Sequence, residues 1–541
     1  MISLLKKFIT GKQKIRIVLL LVLCIQLALY LFLYQRARWI TPPGHVYALQ
    51  NIEGYYSDVI RQSKLGAWSH TFSFTTLPTP KIYTYLFFIG AGKIAALFNI
   101  DPVVMYEITH ITGAIAVFVS AFWLITLLLP AGLQIPAIIF TMMFETGPVW
   151  GQWTTVWFLP PMLSQHFGLA HHLWSQAIGL TLICIIIRSI QKPSWITMIL
   201  IGMLAVIGPL AEPTYFIILI TCLFPPWLIY SAVTKNLKKT ILPIAIATVG
   251  ICCAGLFTKW QISISSPWDT FFAVEKSWWT TDYILNPFIQ SFSFYYPFIL
   301  VLLVLTPLSW KKWSTTMQRT FILALCWSIL PIGLILLSTA SWIPVSNGRI
   351  ASSLSPIPIG ILATLTLYAA GKIEYFRRPA QWLVTFLFLL CFGVSMFFSV
   401  SYFNQLIQAQ NNNRYSWTIY PTVDLWKGMM ALKKAPVWSH VMVLPSIGDI
   451  LPIYVPVRVY QAWLHGNTDW PYRRGLSHIF YTGEMPPDQL RKLFTENNIS
   501  YVFYGPEEIL ATKTTTFYPD VLDVFYANPV VTIYKVRALP K

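Results

Sequence analysis

Runs of about twenty apolar residues, the length that carries a helix across the hydrocarbon core of a bilayer, recur along the chain as far as Phe403. No other feature limits the fold so strongly. Backbone polar groups in lipid must bond within their own segment, so each run has to be a helix. The runs lie at Ile15–Tyr34, Val103–Leu129, Gly168–Ile187, Trp195–Leu210, Thr214–Tyr230, Ile241–Phe257, Ser291–Leu308, Thr320–Leu337, Ser353–Gly371 and Trp382–Phe403. Two more are short: Ile82–Ile100, interrupted by Lys93, and Ile135–Phe144. With 56% hydrophobic and only 11% charged residues, 541 residues cannot form a soluble globule. The expectation is an α-helical polytopic membrane protein.

Charge orients it. Lys6, Lys7, Lys12, Lys14 and Arg16 precede the first span. Lys235, Lys238, Lys239, the pair Lys311-Lys312, and Lys372 with Arg377 and Arg378 fill later loops. Basic loops stay cytoplasmic, which places the N-terminus inside. Tracing from both ends puts the first loop and the C-terminal region outside, and that needs an odd number of spans. The twelve runs are therefore read as eleven to thirteen spans, with Ile82–Ile100 lying in the interface, or 135–167 holding two short helices, as the source of the mismatch. The N-terminus is not a cleavable signal, because the Ile15–Tyr34 core is too long and no small-residue site follows. All seven cysteines lie in apolar segments. No basic stripe suggests nucleic acid. No Walker loop, G-x-S-x-G, H-E-x-x-H or C-x-x-C occurs, which argues against an ATP-driven pump, an α/β-hydrolase and a zinc protease.

Residues 1–410 form the polytopic part, with large external loops at 35–81 and 259–290. Residues 411–541 read differently: short apolar strands such as H-V-M-V-L-P, I-S-Y-V-F-Y-G and P-V-V-T-I-Y-K-V flank a helix from Pro486 to Asn498 with Leu490, Leu493 and Phe494 at helical spacing. This is a small extracytoplasmic α/β domain.

Candidate chemistry concentrates between Gly44 and Lys81. Only ten acids precede Asn411, yet Glu53 and Asp58 lie six positions apart by inclusive count, Glu53 just ahead of a short helix and Asp58 in its first turn. A carboxylate at the membrane surface can take a proton from an acceptor hydroxyl or amide, and nearby cations can hold a phosphate. Asp58 equally suits a pair with Arg61, three positions on. Lys64 and Lys81 are further cations of this loop. Arg349, opening an apolar run as N-G-R-I-A-S-S-L-S-P, is either a phosphate clamp or a snorkelling interface residue. Glu107 and His110 share a helical face inside a span, where an acid is either functional or paired. Glu145 and Glu212 lie at span ends, Glu212 as a helix end-cap. Asp269, Glu275 and Asp282 read as solvated loop charges, and His166, His171 and His172 as interface or core histidines.

The layout resembles the bacterial GT-C type integral-membrane glycosyltransferases, the group of protein mannosyltransferases, aminoarabinose transferases and oligosaccharyltransferases. The resemblance rests on I-E-G-Y-Y-S-D-V-I-R-Q-S-K-L-G-A-W, on Y-T-Y-L-F-F-I-G-A-G-K-I-A-A-L-F-N-I-D-P-V-V-M-Y-E-I-T-H, on G-R-I-A-S-S-L-S-P-I-P-I-G, and on the C-terminal D-I-L-P-I-Y-V-P-V-R-V-Y and Y-V-F-Y-G-P-E-E. It implies a sugar donor on a polyprenyl phosphate, a lipid, protein or glycan acceptor, and direct displacement on the outer face of a bacterial inner (plasma) membrane. It maps the general base onto Glu53, with Asp58 second, and the donor phosphate onto Arg349. Some members use a divalent metal ion and others do not, so no cofactor follows. Two departures stand out: the usual second acid is replaced by Gly54, and His110 stands where relatives carry Arg. Two other readings stay open. A lipid-linked glycan flippase or transporter would use Lys93 and Glu107 along its path, and a non-catalytic envelope-assembly protein would use none of these residues.

Overall fold

A computed structural model describes residues 35–48, 52–143, 169–264, 296–337, 357–372, 407–412, 416–462, 470–513 and 517–537, with isolated positions between them that include Trp268 and Arg349. The chain separates into two compact units: Met1–Phe32, His110–Lys259 and Val274–Leu406 in one, Leu33–Thr109, Trp260–Ala273 and Ile407–Lys541 in the other. The C-terminal region is thus grouped with the first loop and with a short piece of the second.

The first unit is a helical bundle. Among the described residues, five helices are long and apolar enough to cross a membrane: Pro102–Leu128, Ala170–Gln191, Thr214–Val233, Leu237–Ile262 and Thr315–Ile335. The protein is an integral, multi-pass membrane protein. The expected spans Ile15–Tyr34 and Trp382–Phe403 lie largely outside the described residues. Small residues let the helices approach closely, the usual device where no hydrophobic effect separates helix from lipid. A Cβ on Gly360, in the helix Ile357–Lys372, would come within 2.7 Å of the Thr141 backbone nitrogen. Glu212 caps the helix that follows it, accepting from the Thr214 hydroxyl and from the Tyr215 backbone N–H at 3.2 Å, as expected for an end-cap.

The second unit begins with helix α1 (Ile52–Lys64) and helix α2 (Leu86–Leu97). Helix α2 lies within the expected run Ile82–Ile100. Twelve residues at 1.5 Å each span about 18 Å, too short to cross, so this run is not a full span. It packs against α1. Gly92 makes the approach possible, since a Cβ there would meet the Ile60 carbonyl oxygen at 2.5 Å, and Ser63 Oγ donates to the Ile89 carbonyl at 2.7 Å. Lys93 Nζ donates to the carbonyls of Gly66 (2.8 Å) and Ser63 (3.3 Å) and lies 4.4 Å from the Trp68 ring centroid. A cation there satisfies carbonyls left open at the C-terminal end of α1. Helix α3 (Pro102–Leu128) follows, with Tyr106 stacked on Phe88 and Tyr56.

The C-terminal residues build a five-stranded mixed sheet: β1 (Ser439–Met442), β2 (Val457–Val459), β3 (Ile499–Tyr504), β4 (Leu522–Ala527) and β5 (Thr532–Val536) in the order β2-β1-β3-β5-β4. Strands β2, β1 and β3 run parallel, and β3, β5 and β4 antiparallel. β1, β3 and β5 fall where short apolar runs announce strands, and the expected helix appears as Pro487–Glu496. The edge strand β2 is only three residues long and is covered by the first loop: Val459 N–H donates to the Ser73 carbonyl at 3.1 Å. A second backbone staple joins Val46 to Pro421 and Ala48 to Ile419 at 2.9 and 2.8 Å. An open edge is a liability that native sheets manage, and here the first loop manages it.

Glu508 ties the sheet together. Its carboxylate accepts from Leu444 N–H after β1 (2.9 Å) and from Gly505 N–H after β3 (3.0 Å). Burial pushes its pKa up from 4.5 to about 7, against these hydrogen bonds. The folded state therefore holds the proton more tightly than the unfolded chain. The stability this provides is complete below about pH 4.5 and is lost as pH rises through about 7. Amide exchange in β1 and β3 is expected to show local stability falling with pH across that window by on the order of 3 kcal/mol. In Glu508→Gln, which supplies one acceptor instead of two, stability is lower throughout and flat with pH; an unchanged slope in that variant would exclude Glu508 as its source.

Candidate active site

Helix α1 carries the acids picked out from the sequence. It starts at Ile52, so Glu53 stands in its first turn and not ahead of it. A carboxylate in that position is favoured by the unpaired N–H groups and the helix dipole; the Glu53 side chain is outside the described residues. Gly54, Asp58 and Arg61 follow at i, i+4 and i+7, which lines them along one helical face. That face lies against residues 453–458. A Cβ on Gly54 would fall 2.1 Å from Ile453 Cδ1. The absence of a second acid after Glu53 thus has a packing reason: Ile453 occupies the room a side chain at 54 would need.

Asp58 is fully buried. Arg61 Nη2 bonds one of its oxygens, and Gln62 Nε2 the other at 3.0 Å. The pairing with Arg61 that the three-residue spacing allows is the one formed. Burial pushes the Asp58 carboxyl up, opposed by the Arg61 charge and by hydrogen bonds from Ser73, Gln62 and Arg61. Arg61 is 6% exposed, and its Nη1 donates to the Val455 carbonyl at 2.6 Å. Lys64 Nζ donates to the Ile100 carbonyl at 2.8 Å. Two of the cations offered for phosphate binding therefore hold backbone carbonyls within this unit. Lys81 is exposed, beside the backbone bridge between His70 and Ile82.

The opposite side of α1 is aromatic. Tyr56 stacks on Phe88 at 4.6 Å, and Tyr55 Oη lies 2.9 Å from His70 Nε2 among Phe72, Phe74, Tyr85 and Trp268. Trp268 brings the second long loop into this cluster. Burial pushes His70 down to about 3, so it stays neutral. His70 was not foreseen. A lone histidine before a Ser/Thr tract has no spacing that marks it.

Glu107, near the start of α3, pairs with Arg38 at 3.8 Å. His110 is buried on the same helix. Arg349 is half-buried in the membrane unit, where its charge acts on His171, itself edge-to-face with His172 at 4.4 Å. Glu145, His166, Asp269, Glu275 and Asp282 lie outside the described residues. Among the described residues no three His, Cys, Asp or Glu side chains gather as a metal site.

Breaking the buried pair by Asp58→Ala strands a guanidinium in the interior and is expected to cost about 3 kcal/mol or more. Asp58→Leu combined with Arg61→Met removes both charges and is expected to recover most of the loss, read as thermal unfolding in detergent; an Asp58→Ala protein as stable as the parent would contradict the ion-pair reading.

No family model matches the sequence, and no curated protein does. Solved structures do. The apo oligosaccharyltransferase of Archaeoglobus fulgidus is 12% identical, with a TM-score of 0.50 over 90% of this chain and 69% of that one. The arabinofuranosyltransferase AftD from Mycobacteria is 12% identical, with a TM-score of 0.51 over 97% of this chain, which spans 40% of AftD. ArnT from Cupriavidus metallidurans bound to undecaprenyl phosphate is 13% identical, with a TM-score of 0.48 over 96% of this chain and 99% of that one. At such identities the likeness to the first two is one of fold alone. The chain has the fold of the GT-C type integral-membrane glycosyltransferases.

Proposed function

We propose that the protein transfers a sugar from a polyprenyl-phosphate donor to a lipid, protein or glycan acceptor on the outer face of a bacterial plasma membrane. The GT-C fold supports sugar transfer as the class of reaction. The observation that carries the reading is the position of Glu53 in the first turn of a helix braced on both sides, by α2 and by the C-terminal strand region.

In this mechanism the Glu53 carboxylate takes the proton of the acceptor hydroxyl or amide as its oxygen or nitrogen attacks the anomeric carbon. The bond from that carbon to the phosphate oxygen breaks, and the polyprenyl phosphate leaves with the electron pair. Cations stabilise the charge that builds on the leaving phosphate. Arg349, where the resemblance maps the donor phosphate, and Lys81 are assigned that task; Arg61 and Lys64 hold backbone carbonyls. Asp58, buried and paired, serves to hold the helix. The N-terminus is cytoplasmic and residues 411–541 are outside. A transport path through Lys93 and Glu107 gains no support, because Lys93 caps α1 and Glu107 pairs with Arg38.

Purified protein in detergent, given a short-chain polyprenyl-phosphate sugar and an acceptor extract, is expected to form product. Glu53→Gln is expected to lower the rate by about a hundredfold or more with unchanged expression and unfolding temperature. Full activity in that variant would remove Glu53 from the mechanism.

A further inference from the structure

Helix α1 is joined to strand β2 by a closed circuit of polar contacts. From the Asp58 carboxylate, one path runs through the Arg61 guanidinium to the Val455 carbonyl, two residues before β2. The other runs through Gln62. Its Nε2 donates to Asp58 Oδ2 (3.0 Å) and to the Thr71 carbonyl (2.8 Å), while its Oε1 accepts from Thr71 N–H (3.0 Å). The Gln62 amide thus holds Thr71 as a neighbouring strand would. Thr71 Oγ1 in turn accepts from Arg458 Nη2 at 3.1 Å, and Arg458 is the middle residue of β2. The circuit closes through the chain from Val455 to Arg458.

Two neighbours reinforce it. Val459 N–H holds the Ser73 carbonyl, and Arg473 Nη1 donates to Thr76 Oγ1 at 3.0 Å. On the other flank, Gly54 admits Ile453 directly beneath the helix turn that carries Glu53. Contacts on this face of α1 come from the first loop, from residues 453–455, and from Trp438, whose ring centroid lies 5.9 Å from the Arg61 guanidinium.

We propose that Arg458 is a positioning residue for Glu53, so that the C-terminal sheet is a working part of the active site and not an appendage. This rests on the role given to Glu53 above. Arg458 touches no reacting atom in this scheme. It acts through Thr71 and Gln62, which fix the roll of α1 about its axis, and a general base must be held in a narrow geometry to work. A guanidinium suits the task because its charge compensates the buried Asp58 while its planar fork gives a directed hydrogen bond.

The test uses the full chain in detergent and two readouts. Arg458→Gln keeps polarity and removes charge and fork. It is expected to raise amide exchange in Ile52–Lys64 about tenfold while β4 and β5 keep theirs, and to lower kcat about tenfold or more with KM for the donor within about twofold. Arg458→Lys, which restores charge, is expected to recover part of both. Arg491→Ala, an exposed arginine of the helix Pro487–Glu496, is the control for general effects. Unchanged exchange in Ile52–Lys64 with Arg458→Gln would overturn the positioning role. So would a loss of rate that only follows the loss of folded protein. If the parent protein forms no product at all, the transferase reading fails, and the exchange readout still decides whether Arg458 holds α1. If the parent is active and Arg458→Gln matches it, the positioning role fails while the transferase reading stands.

Discussion

A buried carboxylate with a guanidinium three residues along the same helix is the constraint on which the second unit depends. Asp58 and Arg61 are both withdrawn from water, and neither can be there without the other. Such a pair contributes little net stability compared with an apolar replacement, but it is directional. Arg61 reaches the Val455 carbonyl, and Asp58 takes Gln62, which takes Thr71. An apolar contact would let the helix turn or slide, whereas these contacts allow one register. The specificity of the docking, more than its energy, is what the pair supplies.

That register explains other features. Gly54 is small because Ile453 sits under it, and Gly92 is small because α2 crosses α1 at Ile60 and Ser63. The segment from His70 to Thr76 runs along the edge of the C-terminal sheet and ends its exposed strand. The aromatic residues of α1 point the other way, into a cluster that takes in Trp268 from the second loop. One thirteen-residue helix therefore gathers three stretches of chain that are far apart in sequence, and Glu53 stands in its first turn.

Much of this was legible in the sequence, for physical reasons that also mark its limit. Apolar length announces membrane helices, the 3.6-residue period announces the helix Pro487–Glu496, and short apolar runs announce the strands β1, β3 and β5. Spacing alone allowed the Asp58–Arg61 pair. For Ile82–Ile100 hydropathy left a span and an interfacial segment both open, because it does not distinguish a short packed helix from a span; Gly92 and Lys93 carry the difference, one as a crossing point and the other as a cap. Strand β2 escaped because three residues between prolines and tyrosines show no period. Arg458 escaped altogether. Its partner Thr71 lies 387 positions away, and no local pattern encodes a contact of that range.

The most direct test of the account is the configuration of the product. A single displacement, with one carboxylate removing a proton and no enzyme nucleophile attacking the sugar, must invert the anomeric centre. Proton NMR of the glycosylated acceptor, made in detergent from a polyprenyl-phosphate sugar of known anomeric configuration, is expected to show inversion. Retention of configuration, or no transfer in a preparation whose fold is intact, would contradict it.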